Sequence, residues 1–66
     1  MTNYALYNNS RKVFLKHPTV GIWFSPDLQE AKDMKEAACL YLNQIGLTEL
    51  VPHIVIVDYA TKKEIA

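Results

Sequence analysis

The chain has 66 residues with seven basic and seven acidic side chains, so its formal net charge is zero. This balance argues against strong nonspecific binding to DNA or RNA, which draws most of its energy from phosphate neutralisation. A chain of this length forms one domain at most, and such a domain buries only about 60% of its unfolded surface. The lone cysteine, Cys39, excludes an intramolecular disulfide.

The first half of the chain predicts a small antiparallel sheet. Residues 4–7 and 12–16 are short runs of strand-forming side chains on either side of Asn8-Asn9-Ser10. Short polar side chains tolerate left-handed turns, so these two runs predict a β-hairpin. Pro18 ends the second run because proline cannot donate to a strand ladder. Residues 21–24 predict a third short strand.

A long helix is predicted to follow. Ser25 is the expected N-cap, with Pro26 at the first helical position, and Gly46 is the expected stop. Asp33 with Glu36 resembles a second capping box, so the pattern leaves open whether residues 26–45 form one helix or two. Apolar spacings of three and four define one stripe: Leu28, Ala31, Met34 or Lys35, Ala38, Tyr41, Leu42 and Ile45.

The last apolar run, residues 54–57, is apolar on both faces and predicts a central strand that is covered on both sides. The helix covers one face, and so short a chain offers little for the other. Small domains without disulfide or metal commonly gain burial from a partner. We therefore predict a homo-oligomer, a dimer or higher, with its interface at Ile54, Ile56 and Asp58.

Together these elements predict a single α+β domain over residues 1–66. A β-hairpin and two further strands form a small antiparallel sheet packed against one long, continuous or broken, α-helix. Residues 61–64 are expected to form a turn or a short edge strand. The N-terminus lacks the layout of a signal peptide, and no apolar run approaches the roughly 20 residues that a membrane span needs, so we expect a cytoplasmic protein.

Few side chains are left for catalysis. His17 and His53 match no metal-binding spacing, and Cys39 lies among small apolar residues, whereas a reactive thiolate needs an electropositive, partly exposed setting. The acids at the start of the helix alternate with lysines, as on a solvated helix face. The sequence contains no glycine-rich phosphate loop and no serine nucleophile elbow. We therefore predict no catalytic residue, no metal site and no cofactor.

Aromatic and basic side chains of the hairpin region form the best candidate binding set. Planar rings stack on bases and anchor protein interfaces, and basic groups hold phosphates. Trp23 has an alternative role, which is to fill the core against the helix. The candidates are Tyr7, Arg11, Lys12, Lys16 and Trp23.

Four short sequence motifs follow one another between residues 4 and 42. They are Tyr4-x-Leu-Tyr-Asn8, Lys12-x-Phe-Leu-Lys16, Trp23-x-Ser25-x-Asp27-Leu-x-Glu-Ala-Lys32 and Glu36-Ala37. This arrangement resembles small accessory proteins of tailed bacteriophages and prophages. The resemblance implies a phage-encoded protein that binds a host component, as an inhibitor of host enzymes or defences or as a sponge for nucleotide signals. It transfers no site residues.

The expected function is therefore non-enzymatic binding that inhibits or sequesters a host protein or a nucleotide signal of a defence system, in the host cytoplasm. One alternative is a module that binds a phosphate-containing ligand between subunits. Another is a minor nucleic-acid-binding protein, although the zero net charge makes nucleic acid the less expected partner. No membrane partner is expected.

Overall fold

A computed structural model describes residues 2–19 and 21–65 and shows a small antiparallel sheet packed with one long helix. This arrangement confirms the predicted α+β class. A short 3₁₀-helix connects the long helix to the last strand. The elements are β1 (Tyr4–Asn8), β2 (Val13–Phe14), β3 (Lys16–His17), β4 (Gly21–Ile22), β5 (Phe24–Ser25), α1 (Leu28–Gln44), the 3₁₀-helix (Thr48–His53) and β6 (Ile54–Asp58).

The central strand is β1, and all its partners are antiparallel. On one edge it pairs with β6 along its whole length, with Leu6 opposite Ile56. On the other edge it pairs with β5 near its start and with β2 near its end. The outer edge of β6 is partly covered by the end of the chain, because Val57 bridges Glu64. The predicted turn or short edge strand over residues 61–64 is thus present.

The segment from β2 to β5 is a hairpin whose two arms meet β1 at one residue. The Leu6 N–H donates to the Trp23 carbonyl, and the Leu6 carbonyl accepts from the Leu15 N–H. The Trp23 N–H donates in turn to the Leu15 carbonyl. Beyond this point the arms pair with each other as β3 and β4, in a separate two-stranded sheet.

One face of the main sheet packs against α1 and forms the core. Tyr4, Leu15, Trp23 and Leu28 pack around it, partly buried. Ile54 and Ile56, which the sequence analysis assigned to a subunit interface, lie inside this intramolecular core and are not on the surface of the folded chain. The buried members are Leu6, Ala31, Ala38, Leu42, Ile54 and Ile56.

Helix α1 is continuous, and its N-cap lies two residues after the predicted cap. Asp27 is the N-cap, and its Oδ1 accepts from the Gln29 N–H at 3.0 Å. Ser25 is instead the buried last residue of β5, where it pairs with Tyr4, and its Oγ accepts from the Asp27 N–H at 3.1 Å. The helix continues through Asp33, whose carboxylate accepts from the Gln29 side chain instead of capping a second helix.

The predicted helix stop at Gly46 is confirmed. Gly46 has a φ of +84°, a left-handed conformation that glycine adopts without steric cost. The Leu47 N–H donates to the Leu42 carbonyl at 2.8 Å, and the Gly46 N–H donates to the Asn43 carbonyl at 3.3 Å. This pair of bonds is a Schellman motif, which satisfies carbonyls that the helix end leaves without partners.

Two turns of similar construction connect the strands. Asn8 Oδ1 accepts from the Ser10 and Arg11 N–H groups, and the turn ends at Lys12 with a φ of +57°. Asp58 Oδ1 accepts from the Ala60 N–H, and that turn ends at Lys62 with a φ of +62°. The sequence placed the left-handed residue in Asn8-Asn9-Ser10, whereas a lysine adopts it in each turn.

Candidate functional site

The sheet face that points away from α1 carries most of the aromatic side chains. Successive residues of a strand point to opposite faces of the sheet. Because Leu6 and Ile56 point into the helix-side core, their neighbours Ala5, Tyr7 and Val57 point to the other face. Strand pairing then brings further rings beside them, since β5 and β2 lie along the same edge of β1.

Four rings on this side form one continuous cluster, which we call the aromatic face: Tyr7, Phe14, Phe24 and Tyr59. The Tyr7 and Phe14 rings meet edge to face, with centroids 5.3 Å apart. Phe14 contacts Tyr59 at 5.2 Å, and Tyr59 stacks on Phe24 at 5.6 Å with an interplanar angle of 18°. Edge-to-face and offset stacked pairs are the favoured geometries of aromatic rings.

Tyr59 lies across the sheet and completes this face. Its N–H donates to the Asn3 carbonyl at 2.8 Å, which anchors the backbone at the end of β6. Its ring contacts Phe14 and Phe24, both of which lie on the far side of β1 from β6. The cluster therefore covers the middle of the sheet, where Ala5 and Val57 are fully buried.

This arrangement supplies from within the chain the second cover that the sequence analysis assigned to another subunit. The two-sided apolar pattern of β6 is thus satisfied in one chain, by α1 on one side and by the aromatic face on the other. The apolar pattern of β6 therefore does not by itself require a second subunit.

The aromatic face is covered only in part. Phe24 is 53% exposed and Tyr59 is 41% exposed, although each is stacked on the other. Exposed aromatic side chains that lie together on one surface are typical of binding sites, because water contact with apolar rings is unfavourable. The surface offers planar apolar contact instead of a cavity.

Charged groups lie beside the aromatic face. The Lys62 Nζ is 5.8 Å from the centre of the Phe14 ring, which is a cation–π geometry. Arg11 and Lys12 are exposed in the turn that leads to Phe14. Glu64 lies at the outer edge of the same face, opposite Val57.

The structure divides the predicted binding residues between different surfaces. Tyr7 belongs to the aromatic face, and Arg11 and Lys12 lie in the turn beside its strand. Trp23 lies on the other side of the sheet, half-buried against the core and 5.0 Å from the His17 ring. Lys16 lines the same cleft as Trp23.

This cleft between the hairpin and α1 is small. Its volume is about 30 Å³, close to that of one water molecule, whereas small-molecule sites usually have several hundred. It is lined by Leu15, Lys16, Pro18, Trp23, Ala38, Tyr41 and Leu42. Trp23 therefore acts mainly as a packing residue in one chain.

Phe24, Tyr59 and Lys62 were not among the binding residues predicted from the sequence. For Phe24 and Tyr59, the alternation of side chains along a strand could have indicated which face of the sheet they occupy. Phe24 has the opposite parity to Trp23, which packs on the helix side, and Tyr59 has the parity of Val55 and Val57. The sequence predicted a turn or short edge strand over residues 61–64, but no sequence pattern placed Lys62 beside Phe14.

Cys39 is a partly buried thiol of α1. Burial raises the pKa of the Cys39 thiol, and the Lys35 ammonium offsets part of that rise. Within residues 2–19 and 21–65, no three histidine, cysteine, aspartate or glutamate side chains lie together in a way that could hold a metal ion. In the same part of the chain, no helix is both long and apolar enough to cross a membrane.

Comparisons with known proteins do not assign the chain to a family. No protein-family model matches it, and neither the curated proteins nor the solved structures contain a significant match. The expected relationship to phage accessory proteins remains a prediction.

Proposed function

We propose that this is a non-enzymatic binding protein and that the aromatic face is its binding surface. The observation that supports this proposal is the stacked pair of Phe24 and Tyr59, which stays about half exposed. Rigid aromatic rings give large contact areas at a low cost in side-chain entropy, so they serve well as anchors in a binding surface.

The partner in this proposal is a host component, which the protein inhibits or sequesters in the host cytoplasm. This part of the proposal comes from the resemblance to phage accessory proteins. The aromatic face is compatible with such a role because it can cover a complementary surface without any reaction. The affinity then depends on buried ring contacts more than on exposed charge.

Nuclear magnetic resonance of the isotope-labelled protein in bacterial lysate tests the proposal. We expect signals of Tyr7, Phe14, Phe24 and Tyr59 to shift as lysate is added, while signals of the helix-side residue Ala31 shift little. Contact with a partner alters the environment of the rings it covers, whereas slower tumbling of the complex broadens all signals of the protein.

Two variants with similar starting exposure make the test specific. Phe24→Ser should abolish the response, because it removes an exposed ring from the aromatic face. Val13→Ser should retain it, because Val13 is 52% exposed but pairs with Asn8 on the helix side of the sheet. A response confined to α1, or none at all, would contradict the proposed binding surface.

A further inference from the structure

The outer side of Phe24 can accept a further planar group. Phe24 and Tyr59 already form a two-ring stack with an interplanar angle of 18°, and Phe24 is the more exposed member. A planar base placed on Phe24 would extend this stack by one layer. Stacking of this kind accepts any base, because every base has an aromatic face.

A cation lies next to the stack. The Lys62 ammonium is 5.8 Å from the Phe14 ring centre, and Phe14 is in turn 5.2 Å from the Tyr59 ring. The positive charge and the stacked rings therefore share one surface. Alternating aromatic and basic contacts match a strand in which bases alternate with phosphates.

The zero net charge conceals an uneven distribution. Residues 1–26, which include five of the strands and the turn before β2, carry three basic side chains and no acidic one. Arg11 and Lys12 lie in the turn beside the aromatic face, and Lys16 lines the cleft on the other side. The N-cap and α1 carry four acids against two lysines, on the opposite side of the sheet. Glu64 is an acid on the aromatic side, and it lies at the outer edge. The acids of α1 are thus separated from the aromatic face by the sheet.

From these three observations we propose that the partner of the aromatic face is a single-stranded nucleic acid. A base stacks on the outer side of Phe24, whose inner side is stacked on Tyr59, and a phosphate contacts Lys62. This assignment rests on the proposed function, namely that the aromatic face is the binding surface. The stack accepts one base with little sequence preference. A duplex binds less well because its bases are already stacked within the helix.

Fluorescence anisotropy with a short labelled oligothymidylate, at low salt, tests this assignment. We expect saturable binding that Phe24→Ala weakens roughly tenfold, in line with the loss of one base–ring stack. Phe24→Leu should weaken it similarly, since it keeps an apolar side chain but removes the ring. Val13→Ala is the matched control and should bind like the unmodified protein.

Salt dependence tests the phosphate contact. Lys62→Gln should weaken binding and reduce the slope of log affinity against log salt by about 0.7, the value for one phosphate contact on a single strand. Lys32→Gln, which removes a lysine from α1, should leave the slope unchanged. An unchanged slope in the Lys62 variant would overturn the phosphate contact.

Other outcomes separate this assignment from the proposed function. Absence of saturable binding would overturn the assignment, as would binding of thymidine monophosphate as tightly as the oligonucleotide. If the aromatic face still responds to lysate treated with nucleases, its partner is a protein or a small molecule, and only the nucleic-acid assignment fails. If it responds to no lysate, both proposals fail. Thermal unfolding of each variant confirms that the compared proteins are folded.

Discussion

At the scale of single residues, Lys12 is under backbone strain. Its φ of +57° lies in the left-handed region, which costs an L-residue about 1 kcal/mol relative to glycine. We expect Lys12→Gly to raise the free energy of unfolding by about 0.5 kcal/mol, because the relief of strain exceeds the added freedom of the unfolded chain. Urea denaturation measures the change.

Lys16→Gly is the matched control for this prediction. Lys16 lies in β3 and has no positive φ, so the substitution should lower stability by about 0.5–1 kcal/mol. Equal destabilisation by both substitutions would show that the left-handed conformation of Lys12 is not strained.

Cys39 gives a prediction about pH. Burial raises the pKa of its thiol in the folded chain above the value in the unfolded chain. The unfolded state therefore loses its proton first as pH rises, so the contribution of Cys39 to stability is complete below the ordinary thiol pKa and is lost as pH rises through the folded pKa. Urea denaturation should show a fall in stability over this alkaline range that is smaller in Cys39→Ala.

Alkylation gives a second measure of the same thiol. The thiolate is the reactive form, so iodoacetamide should modify folded Cys39 more slowly than the urea-unfolded chain at neutral pH. Equal rates in the folded and unfolded chains would contradict the raised pKa and the partial burial of this side chain.

At the scale of elements, the sequence predicted those features that local chemistry determines. Gly46 ends α1 because its left-handed backbone satisfies carbonyls at the helix end, and any similar sequence would do the same. The N-cap was misplaced because Ser25 pairs with Tyr4 in the sheet, a contact between segments far apart in the chain. The Ser25-Pro26 pattern is typical of a helix start, but Ser25 pairs in the sheet and Asp27 caps the helix instead.

The aromatic face was not predicted, for a related reason. Its rings come from β1, β2, β5 and the residue after β6, so their proximity depends on strand order and register. Alternation alone shows which face a ring occupies but not which rings meet. The sequence therefore identified Tyr7 but placed it with Trp23, whose ring lies on the other side of the sheet.

Tyr59 should make a larger contribution to stability than its exposure indicates. Its ring is part of the cover of Ala5 and Val57. These two residues are buried but lie outside the helix-side core. We expect Tyr59→Ala to lower the free energy of unfolding by about 1–2 kcal/mol, below the usual cost for a fully buried ring because part of the ring is already in water. Chemical denaturation measures it.

Tyr59→Phe is the conservative control and should change stability by less than about 0.5 kcal/mol, because it keeps the ring stack. If Tyr59→Ala were as mild as Tyr59→Phe, the ring would not be a structural cover, and the aromatic face would serve binding alone.

At the scale of the whole molecule, the described residues form two exposed apolar regions on opposite sides. One is the aromatic face. The other is the second half of α1 and its end, where residues 37–48 carry no charge and include the exposed side chains Leu40, Tyr41 and Ile45. The charges of α1 and its cap are confined to residues 27–36. The second half of α1 therefore has no charged side chain whose desolvation would oppose contact with another apolar surface.

The predicted homo-oligomer therefore needs a different contact from the one first assigned to it. Ile54 and Ile56 are buried inside the core, so we expect subunits to meet at the uncharged half of α1, where a second copy can cover Leu40 without burying a charge.

Light scattering should give a mass above the 7.6 kDa of one chain. Leu40→Glu should return the mass to that of one chain, because the carboxylate would be buried between subunits without a partner. Phe24→Ser should keep the oligomer, since it alters the opposite side of the molecule. A mass of one chain for the unmodified protein at micromolar concentration would end the oligomer prediction and leave the aromatic face as the surface on which the proposed function depends.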